Sequence, residues 1–543
     1  MTRKKHFLLL ALLFVALLPL MCLRDFTPDN ELRYLSIADE ALREGHFFAF
    51  TSHGAPYADK PPLYLWIVML CRAVAGRHLL PLLGLFSLLP ALGVLRAMDR
   101  WVGVRMADRD ARAGMLTLAS SAFFLGAAVV LRMDMLMCLF IVLALRVFWR
   151  MYEGRARRGD TMRFPAYVFL ALFTKGPVGL LVPLVSVVVF LLLEGRLRTL
   201  GRYWGWRTWG VILAGCLVWF GAVYAEGGRE YLDNLLFHQT IDRAVDAFHH
   251  KAPVYYYLVA IWYALAPWSP WMVASVVAAL VCRKVGEALP KFLLTVFLTT
   301  LVMLSAFSSK LQIYLLPAFP FLAYFAAWQL PWFGRTRLAW WCMAVPALLL
   351  AFALPLLILT QAAELLTLPV SAPLYLAAGL LTAGGLVAMF RLWRGSDAAC
   401  GVAPVAAGLF AALFAGAFAL PSLNPMIGYG DLCRQASEVV RAEGLPVRYS
   451  TYRIRRSENM DVYLGVPPRA IGDADSLAEV REGVVLARCR DLGYDPALDR
   501  FVGRAALCRK AGEYLIVIPA DPAGGRPAAN VCGGPEDTRR SEP

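Results

Sequence analysis

The chain has 543 residues, 59% of them hydrophobic and 17% charged, with a net charge of +15. Soluble domains are about 45–50% apolar and about 25% charged, so the composition excludes a soluble enzyme, a disordered chain and a small disulfide scaffold, and indicates a polytopic membrane protein. The excess of basic residues does not indicate nucleic acid, because they sit in short loops between apolar runs, where positive charge sets membrane topology.

The first element is Thr2-Arg3-Lys4-Lys5 followed by an apolar run to Leu23. It has the outline of a signal peptide, but the run is long enough to span and no small-residue cleavage site follows. It is expected to be an uncleaved first helix with a cytoplasmic N-terminus. Further apolar runs are 78–95, 112–130, 135–150, 164–174, 178–193, 208–225, 254–281, 291–307, 311–330, 338–360, 373–391 and 402–420. A span needs about 20 residues, with shorter ones tolerated in tilted bundles.

Segment 61–76 decides the count, because every later loop changes side if it crosses. With 61–76 held at the interface, the Arg/Lys-rich segments 96–112, 146–163, 194–208, 283–291, 333–337 and 391–397 all become cytoplasmic. Proline at its start, with Tyr64 and Trp66, suits an interfacial helix. About 13 spans result, with the C-terminus outside.

The outward side then holds loop 24–77, the turns near Arg132, Lys175 and Ser308-Ser309-Lys310, and loop 226–253. Residues 31–44 have amphipathic helical spacing and are expected to lie flat on the membrane surface. After Pro421 the composition turns polar. Helix-like Leu432–Glu443 and strand-like Gly483–Ala487 and Tyr514–Ile518 predict a small α/β domain over 425–520, with a disordered Gly/Pro-rich tail over 521–543. Cys433, Cys489, Cys508 and Cys532 fall in this region, where an oxidising compartment permits one or two disulfides of undetermined pairing. There is no metal-type Cys spacing, internal repeat or nucleotide-binding glycine motif.

The outer face gathers ionisable residues that a passive membrane protein does not need. They are Asp29, Asn30, Glu31 and Arg33; Tyr57, Asp59 and Lys60 before Pro61-Pro62; Arg132 and Asp134; Lys175; Arg243, His249 and His250; and Lys310 with Tyr314. Each has a plain alternative. Arg132 and Asp134 can pair at an interface, Lys175 can snorkel, and the histidines can be solvated. As a set they suit one chemistry: cations at the membrane face hold a phosphate whose lipid tail stays in the bilayer, and a nearby carboxylate acts as base or metal ligand.

Four stretches carry a family resemblance: Asp29-Asn30-Glu31-Leu32-Arg33-Tyr34, Tyr57-Ala58-Asp59-Lys60-Pro61-Pro62, Thr174-Lys175-Gly176-Pro177 and His250-Lys251-Ala252-Pro253-Val254-Tyr255-Tyr256. Two more support it: Arg132-Met133-Asp134 and Ser309-Lys310-Leu311-Gln312-Ile313-Tyr314-Leu315-Leu316-Pro317. In order and sidedness, over roughly the first 330 residues, the chain resembles the GT-C glycosyltransferases that use polyprenyl-phosphate-linked sugars. Within them it resembles the bacterial 4-amino-4-deoxy-L-arabinose lipid A transferases and the protein mannosyltransferase-like enzymes.

The resemblance implies an all-α polytopic protein of the bacterial inner membrane. Residues 1–424 would form the transmembrane transferase domain with periplasmic loops 24–77 and 226–253, and 425–520 a periplasmic α/β domain. The partners it implies are a polyprenyl-phosphate sugar donor, an acceptor lipid, glycan or protein, and the membrane lipids, with no nucleic acid. It assigns catalysis to Asp29, Asn30 and Glu31. It assigns the donor phosphate to Arg33, Tyr57, Lys60, Arg243, Lys310 and Tyr314, with Arg132, Asp134 and Lys175 as further site residues. Asp59 and His250 match positions that hold a zinc ion in some members; no other cofactor is expected. The family's pattern is Asp-Glu-x-Arg-Tyr, and here Asn30 stands where the Asp belongs. Either Asp29 serves through a one-residue shift, or no base is needed because the acceptor is an ionised phosphate; we take Asp29 as the expected residue. The alternatives are a transporter or flippase of lipid-linked sugars, disfavoured by charges clustered at one face and by the lack of repeated halves, and an inactive member acting as a binding protein.

Overall fold

The computed structural model describes residues 3–236, 252–365, 370–395 and 397–520. Every apolar run of the sequence falls on helix. Seven described helices are long and apolar enough to cross a membrane. Two bent pairs, Asp108–Ala119 with Ala122–Val129 and Arg337–Ala351 with Ala353–Ala362, raise the number to nine. The remaining runs fall on the shorter helices Asp160–Lys175, Val178–Leu193, Ser269–Val281 and Gln312–Trp328. Segment 61–76 is the helix Leu63–Ala75, stopped by Gly76 in the left-handed conformation at φ 69°. Its length is about 20 Å at 1.5 Å per residue, short of the ~30 Å hydrocarbon core, which fits an interfacial helix.

The chain divides into two compact units. The first, residues 1–22, 45–50 and 56–419, is the helical membrane unit. Its centre includes an aromatic cluster: Phe292 packs on Phe190 at 4.8 Å, Trp149 at 5.3 Å and Phe148 at 5.4 Å between ring centroids. Helix–helix contact in lipid has no water to expel and relies on close approach of small residues. Gly384 of helix Ala372–Arg394 shows this: a Cβ there would come within 2.8 Å of the Gly408 Cα on helix Val402–Gly416. At the Arg-rich end three cations are tied down, Arg150 to Asp160 at 2.7 Å, Arg105 to Glu153 at 2.6 Å and Lys291 to Glu194 at 2.6 Å.

The second unit comprises residues 23–44, 51–55 and the chain from 420 onward. Its sheet has five strands, β1 (Tyr449–Tyr452), β2 (Arg469–Ile471), β3 (Val484–Arg488), β4 (Leu507–Ala511) and β5 (Tyr514–Ile518), in the order β2-β1-β3-β5-β4. β1 pairs parallel with β2 and β3, and β5 pairs antiparallel with β3 and β4. The run Val484-Val485-Leu486-Ala487 is wholly buried because β3 is central and covered on both faces. Helix Gly430–Ala442 buries Leu432, Cys433, Ala436, Val439 and Val440, the apolar stripe its spacing predicts. Cys508 is disulfide-bonded, and Cys433 and Cys489 are free.

The amphipathic segment 31–44 differs from expectation. It opens as a wide turn, Pro28–Leu32, and becomes the α-helix Arg33–Glu44. Its apolar face does not lie open to a membrane surface. Leu35, Ile37, Ala38 and Ala41 are fully buried by protein, and the Ser36 hydroxyl donates to Asp461 at 2.7 Å. An amphipathic pattern says that a face must be buried, not whether lipid or protein buries it.

Candidate active site

The charged centre of the membrane unit is built on helix ends. Asp134 opens helix Asp134–Tyr152, where the helix dipole favours a carboxylate. Lys175 closes helix Asp160–Lys175, where the dipole favours a cation, and the chain leaves at Gly176 with φ 95° and ψ −153°, a conformation open to glycine. Asp134, 1% exposed, accepts a hydrogen bond from Arg132 Nε at 3.0 Å and another from Lys175 Nζ. Lys175 Nζ also sits 4.4 Å from the Tyr314 ring centroid, a cation–π contact. Lys60 is near enough for its charge to act on Lys175.

Asp59 Oδ2 lies 3.3 Å from Lys60 Nζ and accepts the Tyr57 hydroxyl at 3.4 Å. The Tyr57 carbonyl in turn accepts the Tyr231 hydroxyl at 2.7 Å. Lys310 is 4% exposed, and its Nζ donates to the carbonyls of Ala252 at 2.9 Å and Phe307 at 2.5 Å. Among the described residues no carboxylate pairs with it. A buried ammonium whose described partners are carbonyl dipoles keeps a positive charge that attracts an anion. The structure thus brings together Lys60, Arg132, Asp134, Lys175 and Tyr314, with Lys310 four residues before Tyr314 on the extended stretch that leads into it. Arg243 and His250 lie outside the described residues.

Asp29, Asn30, Glu31 and Arg33 belong to the second unit. Glu31 is fully buried. Its carboxylate accepts Arg24 Nη1 at 2.6 Å and Nη2 at 2.5 Å, plus the Thr27 N–H at 2.8 Å and hydroxyl at 3.0 Å. This carboxylate clamps a turn. Asn30 is exposed, and its carbonyl accepts the Arg33 N–H. Asp29 is the accessible acid, half exposed and 3.3 Å from Arg455 Nε.

Two features were not singled out from the sequence. Asp25 accepts the Gly430 N–H at 2.7 Å and the Tyr463 hydroxyl, partners 405 and 438 residues along the chain. No local pattern announces such a pairing. The second is the turn at His53-Gly54, with φ of 54° and 77°, the left-handed pair of a type I′ turn. Glu40 holds it by accepting the His53 N–H at 2.6 Å and the Gly54 N–H at 2.9 Å. The His53 ring lies 3.5 Å from Asp461 and 3.1 Å from the Glu458 carbonyl. The hydrogen bond to Asp461 raises its pKa above the usual histidine value, against the effect of burial. A raised histidine stabilises the folded state fully below about pH 6.5, and the contribution is lost as pH rises through the folded pKa. Thermal unfolding is therefore expected at lower temperature at pH 8.5 than at pH 6, with a smaller difference in His53→Gln.

Among the described residues no three His, Cys, Asp or Glu side chains converge as metal ligands. Asp59 is already engaged by Lys60 and Tyr57. The described donors do not make a metal site, and no step below is routed through one.

No family model matches the chain. Its fold is that of a known class of polytopic helical membrane proteins. The crystal structure of ArnT from Cupriavidus metallidurans bound to undecaprenyl phosphate superposes with a TM-score of 0.72 at 19% identity, covering 97% of this chain and 100% of that one. Within the class, the sequence is similar to the undecaprenyl phosphate-alpha-4-amino-4-deoxy-L-arabinose arabinosyl transferases. It is 26% identical over 321 residues to transferase 1 of Pseudomonas fluorescens strain Pf0-1, covering 57% of this chain and 54% of that protein. It is 28% identical over 320 residues to the enzyme of Pseudomonas aeruginosa strain LESB58, covering 57% and 56%. The chain thus spans about half the length of the curated relatives it matches. The resemblance drawn from the six motifs is borne out.

Proposed function

We propose that the protein is an inner-membrane glycosyltransferase that moves a sugar from a polyprenyl-phosphate donor to an acceptor on the periplasmic side, with its N-terminus cytoplasmic and its C-terminal domain periplasmic. The observation that carries this reading is the set of cations in the membrane unit: Arg132 and Lys175 share Asp134, and the buried Lys310 ammonium is held by the carbonyls of Ala252 and Phe307. Its likeness to the arabinosyl transferases supports the donor class.

An acceptor oxygen attacks the anomeric carbon of the donor sugar. The bond from that carbon to the phosphate oxygen breaks, and polyprenyl phosphate leaves with the electron pair and a gain of negative charge. Lys60, Lys310, Tyr57, Tyr314, Arg33 and Arg243 are the proposed donor-phosphate residues. Lys175, fixed by Asp134, adds to the field that stabilises the leaving group. The acceptor is a lipid A-like lipid, a glycan or a protein. If its nucleophile is an ionised phosphate no base is required; if it is a hydroxyl, Asp29 takes the proton.

The test is protein reconstituted in vesicles with a labelled donor and an outer-envelope acceptor fraction. The expected result is acceptor-dependent release of polyprenyl phosphate; movement of intact donor across the bilayer without cleavage contradicts it and indicates a flippase. In the same assay Asp29→Asn is expected to lower turnover about 10²–10⁴-fold if a hydroxyl accepts the sugar, the usual range for loss of a general base. Full activity of Asp29→Asn with a hydroxyl acceptor removes Asp29 from the mechanism. Exhaustive chelation is expected to leave the rate unchanged; a loss restored by zinc puts Asp59 and His250 on a metal.

A further inference from the structure

An apolar trough lies elsewhere in the membrane unit. Helices Arg3–Leu23, Ala372–Arg394 and Val402–Gly416 border an open apolar groove of about 1010 Å³, lined by side chains such as Leu12, Leu376, Leu380, Phe410 and Phe414. An adjoining cavity of about 650 Å³ shares Leu9, Leu116 and Ala403 with it and ends on Arg109, Arg112, Arg391 and Arg394. Together they form one trough with a greasy length and a cationic mouth. Its lining runs from Ala403 to Phe418, about 22 Å at helical rise, which carries an acyl chain past the middle of a ~30 Å core.

Arg109 is neutralised within the protein by Asp110 at 2.8 Å and Asp397 at 2.7 Å. Arg112, Arg391 and Arg394 are exposed at the mouth and make no ion pair among the described residues. Arg391 and Arg394 are three residues apart, so they share a helix face, and the Arg394 guanidinium rests 4.6 Å from the Phe390 ring centroid.

The mouth is not at the end that holds Lys175. Helix Asp134–Tyr152 begins at the Asp134–Lys175 pair and ends beside Glu153, about 28 Å away by helical rise, and Glu153 binds Arg105, close in sequence to Arg109. The trough therefore opens at the membrane face opposite the donor-phosphate residues, the face that the positive charges assign to the cytoplasm. We infer that it binds an anionic diacyl phospholipid of that leaflet, with its phosphate on Arg112, Arg391 and Arg394 and an acyl chain in the trough. This inference does not depend on the glycosyl-transfer reading.

The test is native mass spectrometry of the full chain, stripped of lipid and exposed to dioleoyl phosphatidylglycerol or dioleoyl phosphatidylcholine, which share their acyl chains. Phosphatidylglycerol is expected to be retained at least about tenfold better, given the attraction of each basic residue for an anionic surface. The triple variant R112Q/R391Q/R394Q is expected to lose that preference. A407W, which fills the trough, is expected to lower retention of both lipids. Equal retention of the two lipids by the wild-type chain, or an undiminished preference in the triple variant, overturns the proposal. So does binding of inorganic phosphate as tight as that of the lipid, or a dimer that buries the trough in its place.

Discussion

Lys310→Met is expected to lower turnover about 10²–10³-fold while the protein remains folded, the usual cost of removing one preorganised charge from a departing oxyanion. Two features point to this residue. It is buried, and its ammonium is held by the carbonyls of Ala252 and Phe307 with no carboxylate among the described residues to neutralise it. Methionine keeps most of the side-chain volume and removes the charge. Steady-state release of polyprenyl phosphate measures the effect, and the Lys310→Arg variant separates charge from geometry. Arginine is expected to recover only part of the rate, because its planar fork does not fit a socket shaped by two carbonyls. Wild-type turnover in Lys310→Met would remove the residue from the phosphate site.

Asp134→Ala is expected to destabilise the membrane unit by about 3–5 kcal/mol, because it leaves the buried Lys175 and the adjacent Arg132 without their shared counter-charge. Thermal unfolding in detergent and the yield of folded protein report it. The double variant Asp134→Leu with Lys175→Met is expected to recover much of the stability, since an apolar pair of similar volume avoids the desolvation cost of two buried charges. It is expected to stay inactive, since the cation is gone. A double variant with wild-type turnover would make this group a structural ion pair only.

Much of this architecture is legible in the chain, for reasons that can be named. The spans are legible because a helix in lipid must be apolar over its length, and so Ala372–Arg394 and Ala288–Ala306 announce themselves. Strand Tyr514–Ile518 is legible at its observed bounds, because Gly512-Glu513 before it and Pro519 after it bracket a short apolar run with the β-branched Ile516, Val517 and Ile518. The association of Asp134 with Lys175 is less legible: they stand 41 residues apart, and only the antiparallel return of helix Asp160–Lys175 joins them. Glu31 and Asp29 look interchangeable in a string of acidic residues. The structure separates them, because Arg24 and Thr27 saturate one and leave the other half exposed. The destination of helix Arg33–Glu44 is not legible, because its partner, around Asp461, lies more than 400 residues away.

The central claim is that the cations of the membrane unit bind a lipid-linked phosphate. Equilibrium binding of polyprenyl phosphate to the full chain in lipid nanodiscs tests it most directly, with Lys60→Ala and Lys310→Met compared against the wild type and with the uncharged polyprenol as control. The account predicts saturable binding of the phosphate, little binding of the alcohol, and at least about a tenfold loss of affinity in each variant, the scale of one charge-assisted contact. Equal affinity of the wild type and both variants, or of phosphate and alcohol, would contradict it.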